Sequence, residues 1–241
     1  MRQNYAVDFG LALLISVTLG RFSVEAQAFP SPAPDQSQAL QDLADQVKLA
    51  LQQGDLKTAS RLSMDLNLGI FKRLQALEPT PQEKLAKLEQ AAPPIGIERF
   101  YALPDLAKAA FNAGEMNKAE GYARELLSAS PEHQKDWNYG NAIFYGNMVI
   151  GQVALGRDKN VSLAMSSLLA SAQTPGSPTL NSFGPNVSLA KDLLTEGERD
   201  TVLQFFTLCR SFWKMDRGKL DAWTATVKGG GAPDFGANLV Y

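Results

Sequence analysis

The chain has 241 residues, of which 45% are hydrophobic and 20% are charged. These proportions are typical of a soluble globular protein and exclude a disordered, collagen-like or polytopic membrane chain. The formal net charge is −2, which argues against a nucleic-acid binder, since such proteins usually carry a basic surface. With one histidine and one cysteine, the chain has neither an intrachain disulfide nor a metal site built on paired histidines, and we expect no cofactor.

The N-terminus has the features of an export signal. Residues Phe9–Gly20 form a mainly apolar run that is too short to span a bilayer but suits the central region of a signal peptide. Ala26 and Ala28 place small residues at an A-x-A site, so we predict a signal peptide over residues 1–28 with cleavage after Ala28. An uncleaved anchor is the alternative. The sequence therefore predicts an exported protein, periplasmic or secreted, without a stable membrane span after cleavage.

Helix-forming residues dominate the rest of the chain. Ala, Leu, Gln, Lys and Glu are frequent, and no segment sustains the alternation of apolar and polar residues that a strand requires. A Pro-rich flexible lead is expected over residues 29–35. Clusters of Gly, Pro and Asn then separate the predicted helices. These cover residues 36–52, 55–77, 81–91, 104–113, 115–129, 135–155, 158–172, 187–196, 198–214 and 219–227.

Three local patterns refine this prediction. Thr80-Pro81-Gln82-Glu83 forms a capping box with proline at the first helical position, which is typical of a helix start. Residues 174–186 are expected to form an ordered, non-helical loop in which Phe183 is buried. Residues 229–241 are expected to form an irregular C-terminal tail, either docked or frayed.

A glycine recurs between consecutive predicted helices. Five residues after each glycine lies Ala or Val, and seven residues before it lies another small or apolar residue. A helical hairpin needs this arrangement, because glycine permits the positive φ that ends the first helix and small side chains let the two backbones approach. The glycines are Gly54, Gly114, Gly156 and Gly197, and the residues seven before them are Val47, Ala107, Val149 and Ala190.

This pattern resembles the tetratricopeptide repeat, a family of α-helical hairpins. The best-matching stretch runs from Phe100 to Pro131, with Ala107, Gly114, Ala119 and Pro131 at the family's small, turn, small and terminal-proline positions. The glycines are 60, 42 and 41 residues apart, which exceeds the regular spacing of the family. The resemblance implies an all-α fold, a right-handed array of about four antiparallel hairpins over residues 36–228 that share a continuous core.

The resemblance also implies a partner-binding face. In such arrays the first helix of each hairpin lines a concave face, on which Lys and Asn side chains bind peptide backbones and carboxylates. Lys48, Lys108 and Lys191 lie six residues before their glycines, and Asn147 lies nine before its own. An aspartate three residues before Lys48 and before Lys108 leaves simple helix-surface ion pairs as the alternative.

A second candidate region is rich in aromatic and amide side chains. Trp137, Asn141 and Tyr145 are residue types that stack on, or hydrogen-bond to, a sugar or a peptide. The alternative is that Phe144, Met148 and Gly140 pack between helices while the asparagines face solvent, and Gly140, Gly146 and Gly151 would permit such close contact.

The sequence thus favours a non-catalytic module that binds a protein or peptide partner, with no nucleic acid and an open oligomeric state. One alternative is an envelope carbohydrate-active hydrolase with paired carboxylates, and another is a purely structural envelope component. His133 lies in a polar turn and is expected to be exposed. Cys209 lies in an apolar run and is expected to be buried.

Overall fold

A computed structural model describes residues 34–239, with side chains for residues 38–74 and 78–239. All regular structure in this part of the chain is helical, as predicted, and it contains no strand. The predicted signal peptide, its cleavage site after Ala28 and most of the Pro-rich lead lie outside the described residues. Within residues 34–239, no helix combines the length and the apolar character needed to cross a membrane.

Eleven α-helices and two short 3₁₀ turns make up the described chain. The α-helices are α1 (Pro34–Gln52), α2 (Leu56–Leu77), α3 (Pro81–Ala91), α4 (Ile97–Asn112), α5 (Met116–Ala129), α6 (Tyr139–Gly156), α7 (Val161–Ala172), α8 (Pro178–Phe183), α9 (Ser188–Thr195), α10 (Arg199–Cys209) and α11 (Lys219–Lys228). The 3₁₀ turns are Ser130–His133 and Gly236–Leu239.

The capping box at the start of α3 is confirmed. Thr80 accepts a hydrogen bond from the Glu83 amide, and the Glu83 carboxylate accepts one from the Thr80 amide. By contrast, α4 begins well before residue 104, because Pro104 lies inside the helix rather than at its start. The side chains around Pro104 are buried, so tertiary packing outweighs the cost of an interior proline.

Two expectations for residues 174–186 are wrong. The segment contains α8, whose first turn is capped by Ser177, so it is not entirely non-helical. Phe183 is 77% exposed, and Leu180, one turn earlier on α8, takes the buried position instead. Phe183 is the last residue of α8, and beyond it the Gly184 main chain, rather than the Phe183 ring, packs against Trp213.

The chain divides into two compact units between Leu77 and Glu78. The first consists of α1 and α2, which pack as an antiparallel hairpin. Gly54 has a φ of 75°, and the amide of Asp55 donates to the Ala50 carbonyl over 3.0 Å, which completes a Schellman cap at the end of α1. The predicted turn glycine of this hairpin is therefore confirmed.

The second unit contains α3 to α11. Sequential helices pack as pairs, α4 with α5, α6 with α7 and α9 with α10, and α6 also contacts α4, α5 and α9. Gly114 and Gly197 have φ values of 77° and 92°, as expected of glycines at hairpin turns. The expectation of positive φ at Gly156 is wrong. It is the last residue of α6, and Lys159 takes the left-handed conformation in a longer turn.

The largest core of the second unit is aromatic and lies among α6, α7, α9, α10 and α11. Phe205, Phe206 and Trp223 are buried there, together with Cys209. The prediction of a buried cysteine is thus confirmed.

Residues 229–239 of the C-terminal tail dock on this core. Phe235 is buried and packs its ring edge-on against Trp223, with ring centres 5.0 Å apart. The Asn238 side chain donates to the carbonyl oxygens of Phe183 and Pro185, and the Asn238 carbonyl accepts from the Val187 amide. The described tail is therefore held by both side-chain packing and main-chain hydrogen bonds.

Candidate functional site

One side of α4 carries polar side chains from Tyr101 to Asn112, all of them exposed except the half-buried Lys108. Tyr101, Asp105, Lys108 and Asn112 follow the i, i+4, i+7, i+11 spacing that places residues on one side of a helix. The opposite side is buried in the core of the second unit through Phe100, Leu103, Leu106, Ala107 and Ala110. The core therefore fixes the outward direction of the four polar residues, which we call the α4 face.

Lys108 lies at the centre of the α4 face, where α4 meets α6. Its ammonium is 2.7 Å from an Asp105 carboxylate oxygen and 4.5 Å from the centre of the Tyr145 ring. Burial, followed by the negative charge of Asp105, raises the pKa of Tyr145 above its ordinary value. The structure thus brings together two sequence-predicted residues, Lys108 and Tyr145, and the predicted ion pair with Asp105 forms as well.

A cleft of about 410 Å³ opens beside Lys108, between α3 and α4. Pro81, Leu88 and Ala109 provide apolar surface in it, while Lys84 joins Lys108, Asp105 and Asn112 as its polar lining. The sequence analysis missed the α3 side of this cleft. The capping box fixes where α3 begins, but nothing in the sequence indicates which helix α3 packs against.

An aromatic pair lies at one end of the α4 face. The Tyr101 and Trp137 rings are 5.8 Å apart at their centres with an interplanar angle of 35°, and Trp137 is 58% exposed. The Tyr101 hydroxyl donates to Asp136 over 2.7 Å, and this hydrogen bond raises the pKa of Tyr101. The other oxygen of Asp136 accepts from the Asn138 amide, so the carboxylate is held from two sides.

His133 lies close to this pair and differs from the expectation. It is half-buried rather than exposed, and its ring packs on Phe100 with centres 4.3 Å apart. The polar neighbours of His133 in the sequence suggested exposure. The 3₁₀ turn after α5 instead directs the ring toward α4.

The two predicted asparagines make internal hydrogen bonds. Asn141 is buried, donates to the Asn138 side chain over 2.8 Å and accepts from Ser177 over 2.7 Å. Asn147 is half-buried and donates to the Ile143 carbonyl over 2.9 Å. The segment is therefore packed between helices, but the expectation that its asparagines face solvent is wrong for Asn141, whose amide is used inside the protein.

The remaining predicted lysines lie elsewhere. Lys48 is exposed on α1 in the first unit, and Lys191 is exposed on α9. Next to Lys191, the ends of α4, α6 and α9 form a shallow depression of about 270 Å³ whose lining includes Asp192 and Glu196. Lys191 therefore does not line the cleft beside Lys108.

Asp192 on α9 and Glu196, the residue that caps its end, are one turn apart and form a pair of neighbouring carboxylates. Partial burial, and then the charge of Glu196, raises the pKa of Asp192, while Lys191 lowers it. Both side chains nevertheless remain exposed, so the depression does not enclose them as the cleft of a hydrolase would. Within residues 34–239 there is also no group of three or more His, Cys, Asp or Glu side chains that could hold a metal ion.

Comparison with known proteins finds no relative of this chain. No protein-family model matches this chain, and no curated protein or solved structure is detectably similar to it. The function is therefore best inferred from the α4 face, with its cleft and its aromatic pair.

Proposed function

We propose that this chain is an exported, non-catalytic binding module of tetratricopeptide-like helical hairpins that holds a protein or peptide partner along the α4 face. The observation that carries this proposal is the continuity of the face. Exposed Tyr101, Asp105 and Asn112, with half-buried Lys108 between them, connect the aromatic pair at one end to the cleft beside α3. From Tyr101 to Asn112 the face is about 16 Å long, which suits about five residues of extended peptide.

The chemistry of the face suits a peptide with alternating apolar and polar contacts. Tyr101 and Trp137 offer an exposed aromatic surface to an apolar side chain, and the cleft offers apolar surface to a second one. Between them, Asp105 accepts and Asn112 both donates and accepts hydrogen bonds, as the main-chain amides of a peptide require. The Lys108 ammonium already pairs with Asp105 and lies over the Tyr145 ring. In this proposal its main role is therefore to position Asp105 on the face.

Two further features support the module type and its location. Helix pairs in the second unit, with glycine caps at Gly114 and Gly197, are the arrangement from which a hairpin array is built. The apolar run Phe9–Gly20 and the A-x-A site before residue 29 support export. Determination of the N-terminal residue of protein recovered from the periplasm or medium tests export, with Phe29 as the expected first residue.

A peptide-display selection tests the binding proposal. The full chain is offered to a library of random 12-residue peptides, and the affinity of an enriched peptide is then measured by fluorescence anisotropy. We expect the double variant Tyr101→Ala, Trp137→Ala to weaken binding about tenfold or more, since aromatic anchors dominate such contacts. The single variant Lys108→Glu is expected to weaken binding as well, because it places a second negative charge beside Asp105 in the middle of the face. Enrichment of glycan rather than peptide probes in a parallel screen would overturn the choice of partner.

A matched control keeps this test specific. The double variant Phe183→Ala, Lys228→Glu removes an exposed aromatic and an exposed cation outside the α4 face. It is expected to bind the selected peptide as the native chain does. The proposal fails if no peptide is enriched, or if the control and the α4-face variants lose affinity equally.

A further inference from the structure

The outward side of α2, in the first unit, carries a stripe of large apolar side chains. Met64, Leu68 and Phe71 follow the i, i+4, i+7 spacing and are 71%, 52% and 58% exposed. Leu56 and Leu74 are also exposed toward the two ends of the helix. Soluble proteins rarely leave a contiguous apolar surface of this kind uncovered, so the stripe indicates an interaction surface.

The inward side of α2 explains why this stripe is not needed within the hairpin. Ala59 is buried on that side, and Gly69 lies against Leu40 of α1, where a β-carbon would come within 2.5 Å of the Leu40 Cδ2 atom. Small residues thus bring α1 and α2 into close contact and complete the hairpin. The large residues of the outward stripe take no part in that contact.

Basic side chains flank the stripe. Lys57 lies seven residues before Met64, and Arg61 lies seven residues before Leu68. Lys72 lies four residues after Leu68. At these spacings all three basic residues are on or beside the apolar line. All three are exposed. With Arg73, α2 contains four basic residues, and its one acidic residue is Asp65. The helix therefore carries a net charge of +3.

This charge pattern selects among occupants. In an antiparallel contact between two copies centred on Leu68, Lys72 of one copy comes opposite Met64 of the other and can pair with Asp65, but three of the four basic residues of each helix are left without such a pair. In a parallel contact, each cation faces its own equivalent. In both arrangements two helices of net charge +3 come together, which disfavours a second copy and favours an anionic surface.

We propose that the outward side of α2 binds the surface of an anionic lipid bilayer. Met64, Leu68 and Phe71 enter the boundary between headgroups and acyl chains, while the long side chains of Lys57, Arg61 and Lys72 extend to the lipid phosphates. The helix lies in the plane of the membrane without crossing it. This function is separate from peptide binding, because the α4 face belongs to the other unit of the chain.

Vesicle co-sedimentation of the full chain tests the proposal. Binding to equal parts of phosphatidylglycerol and phosphatidylcholine is compared with binding to phosphatidylcholine alone. We expect about tenfold or greater loss of anionic-vesicle binding in two triple variants. One is Met64→Gln, Leu68→Gln, Phe71→Gln, and the other is Lys57→Gln, Arg61→Gln, Lys72→Gln. The first 28 residues are identical in every variant, so any binding by the run Phe9–Gly20 is a constant background.

A matched triple variant controls for loss of exposed apolar surface in general. Ile95, Phe183 and Met215 are 80%, 77% and 51% exposed, and all lie in the other unit. The variant Ile95→Gln, Phe183→Gln, Met215→Gln is expected to bind anionic vesicles as the native chain does. The proposal is overturned if the native chain binds both vesicle types equally. It is also overturned if both α2 variants bind anionic vesicles as well as the native chain does.

A local probe distinguishes membrane contact from an indirect effect. Because the native Cys209 is buried, a cysteine introduced by Leu68→Cys takes an environment-sensitive dye selectively. We expect its emission to shift to shorter wavelength with anionic vesicles, and no shift for the same dye after Phe183→Cys. The proposal is overturned if the emission of the dye at position 68 does not shift. It is also overturned, in favour of a second copy as the occupant, if the native chain is a dimer in solution that the Met64, Leu68, Phe71 variant dissociates.

Discussion

Gly140 of α6 lies directly against Gly176, and a β-carbon at position 140 would overlap the Gly176 carbonyl oxygen. Thr174, two residues earlier, donates its hydroxyl to the Gly140 carbonyl over 2.8 Å. The start of α6 therefore packs main chain against main chain on the segment after α7. Gly146 and Gly151 also make close contacts, with the side chains of Leu127 and Leu189.

The Gly140 contact predicts a large cost for Gly140→Ala. The obstacle is a backbone carbonyl that no side-chain rotation can remove, so we expect a loss of about 3 kcal/mol in the free energy of unfolding, measured by urea titration. Gly121→Ala is the matched control, because Gly121 lies in α5 with nothing near its added β-carbon. There alanine should stabilise the chain by about 0.5–1 kcal/mol. Similar changes at both sites would contradict the close-contact argument.

Asn238 predicts how the C-terminal tail is held. Asn238→Ala removes the donor to the Phe183 and Pro185 carbonyls and the acceptor for the Lys219 ammonium. We expect a loss of about 2 kcal/mol, because buried polar groups remain without partners. Faster hydrogen exchange at the Val187 amide, which donates to the Asn238 carbonyl over 2.8 Å, is the local readout.

Asn67→Ala serves as the comparison, since Asn67 is exposed on α2. It should leave exchange at Val187 unchanged. Unchanged exchange in Asn238→Ala as well would mean that Phe235 alone holds the tail.

The helices were predictable because their signals are local. Caps and breaks such as Thr80 and Gly114 depend on residues within one turn, and they fixed most helix positions. Pro104 and Gly156 misled for the same reason. Each resembles a helix end locally, but Pro104 is held inside α4 by the core, and the turn after Gly156 is completed by Lys159.

The candidate site was predictable only in part. Lys108 was found by its distance from Gly114, and its contact with Tyr145 depends on the packing of α4 against α6, which the hairpin pattern did not specify. The cleft required α3 to lie beside α4, a long-range contact without a sequence signal. Asn141 was misleading, because its residue type suits a binding surface while its position is internal.

The ion-pair cluster that joins α5 to the end of α6 predicts a pH dependence of stability. Glu120 accepts hydrogen bonds from Arg124 and Arg157, and these bonds, that from Arg124 first, hold the pKa of Glu120 below its ordinary value of 4.5. A carboxyl whose pKa is lowered in the folded state contributes stability that is fully present above pH 4.5. That contribution is lost as the pH falls through the lower, folded-state pKa.

Glu120→Gln should therefore lower the free energy of unfolding at neutral pH by at most about 1 kcal/mol, since the cluster is partly solvated. The difference between native and variant chains should shrink as the pH falls from 4.5. Urea titrations at neutral and acidic pH measure it. Glu132→Gln, at an exposed glutamate outside this cluster, should not reproduce the effect. A difference that stays constant with pH would show that Glu120 acts through packing rather than charge.

The environment of Cys209 predicts that its thiol reacts only when the chain unfolds. The side chain is fully buried at the end of α10, and burial raises its pKa well above the ordinary value. Because the thiolate is the reactive form, both access and ionisation oppose modification in the folded state. We expect a chromogenic disulfide reagent at about pH 8 to label the native chain no faster than it unfolds, and to label it fully in urea.

Leu68→Cys is the positive control, since position 68 is exposed on α2 and should react at once in the folded chain. Rapid labelling of native Cys209 would instead mean that α10 opens locally without global unfolding.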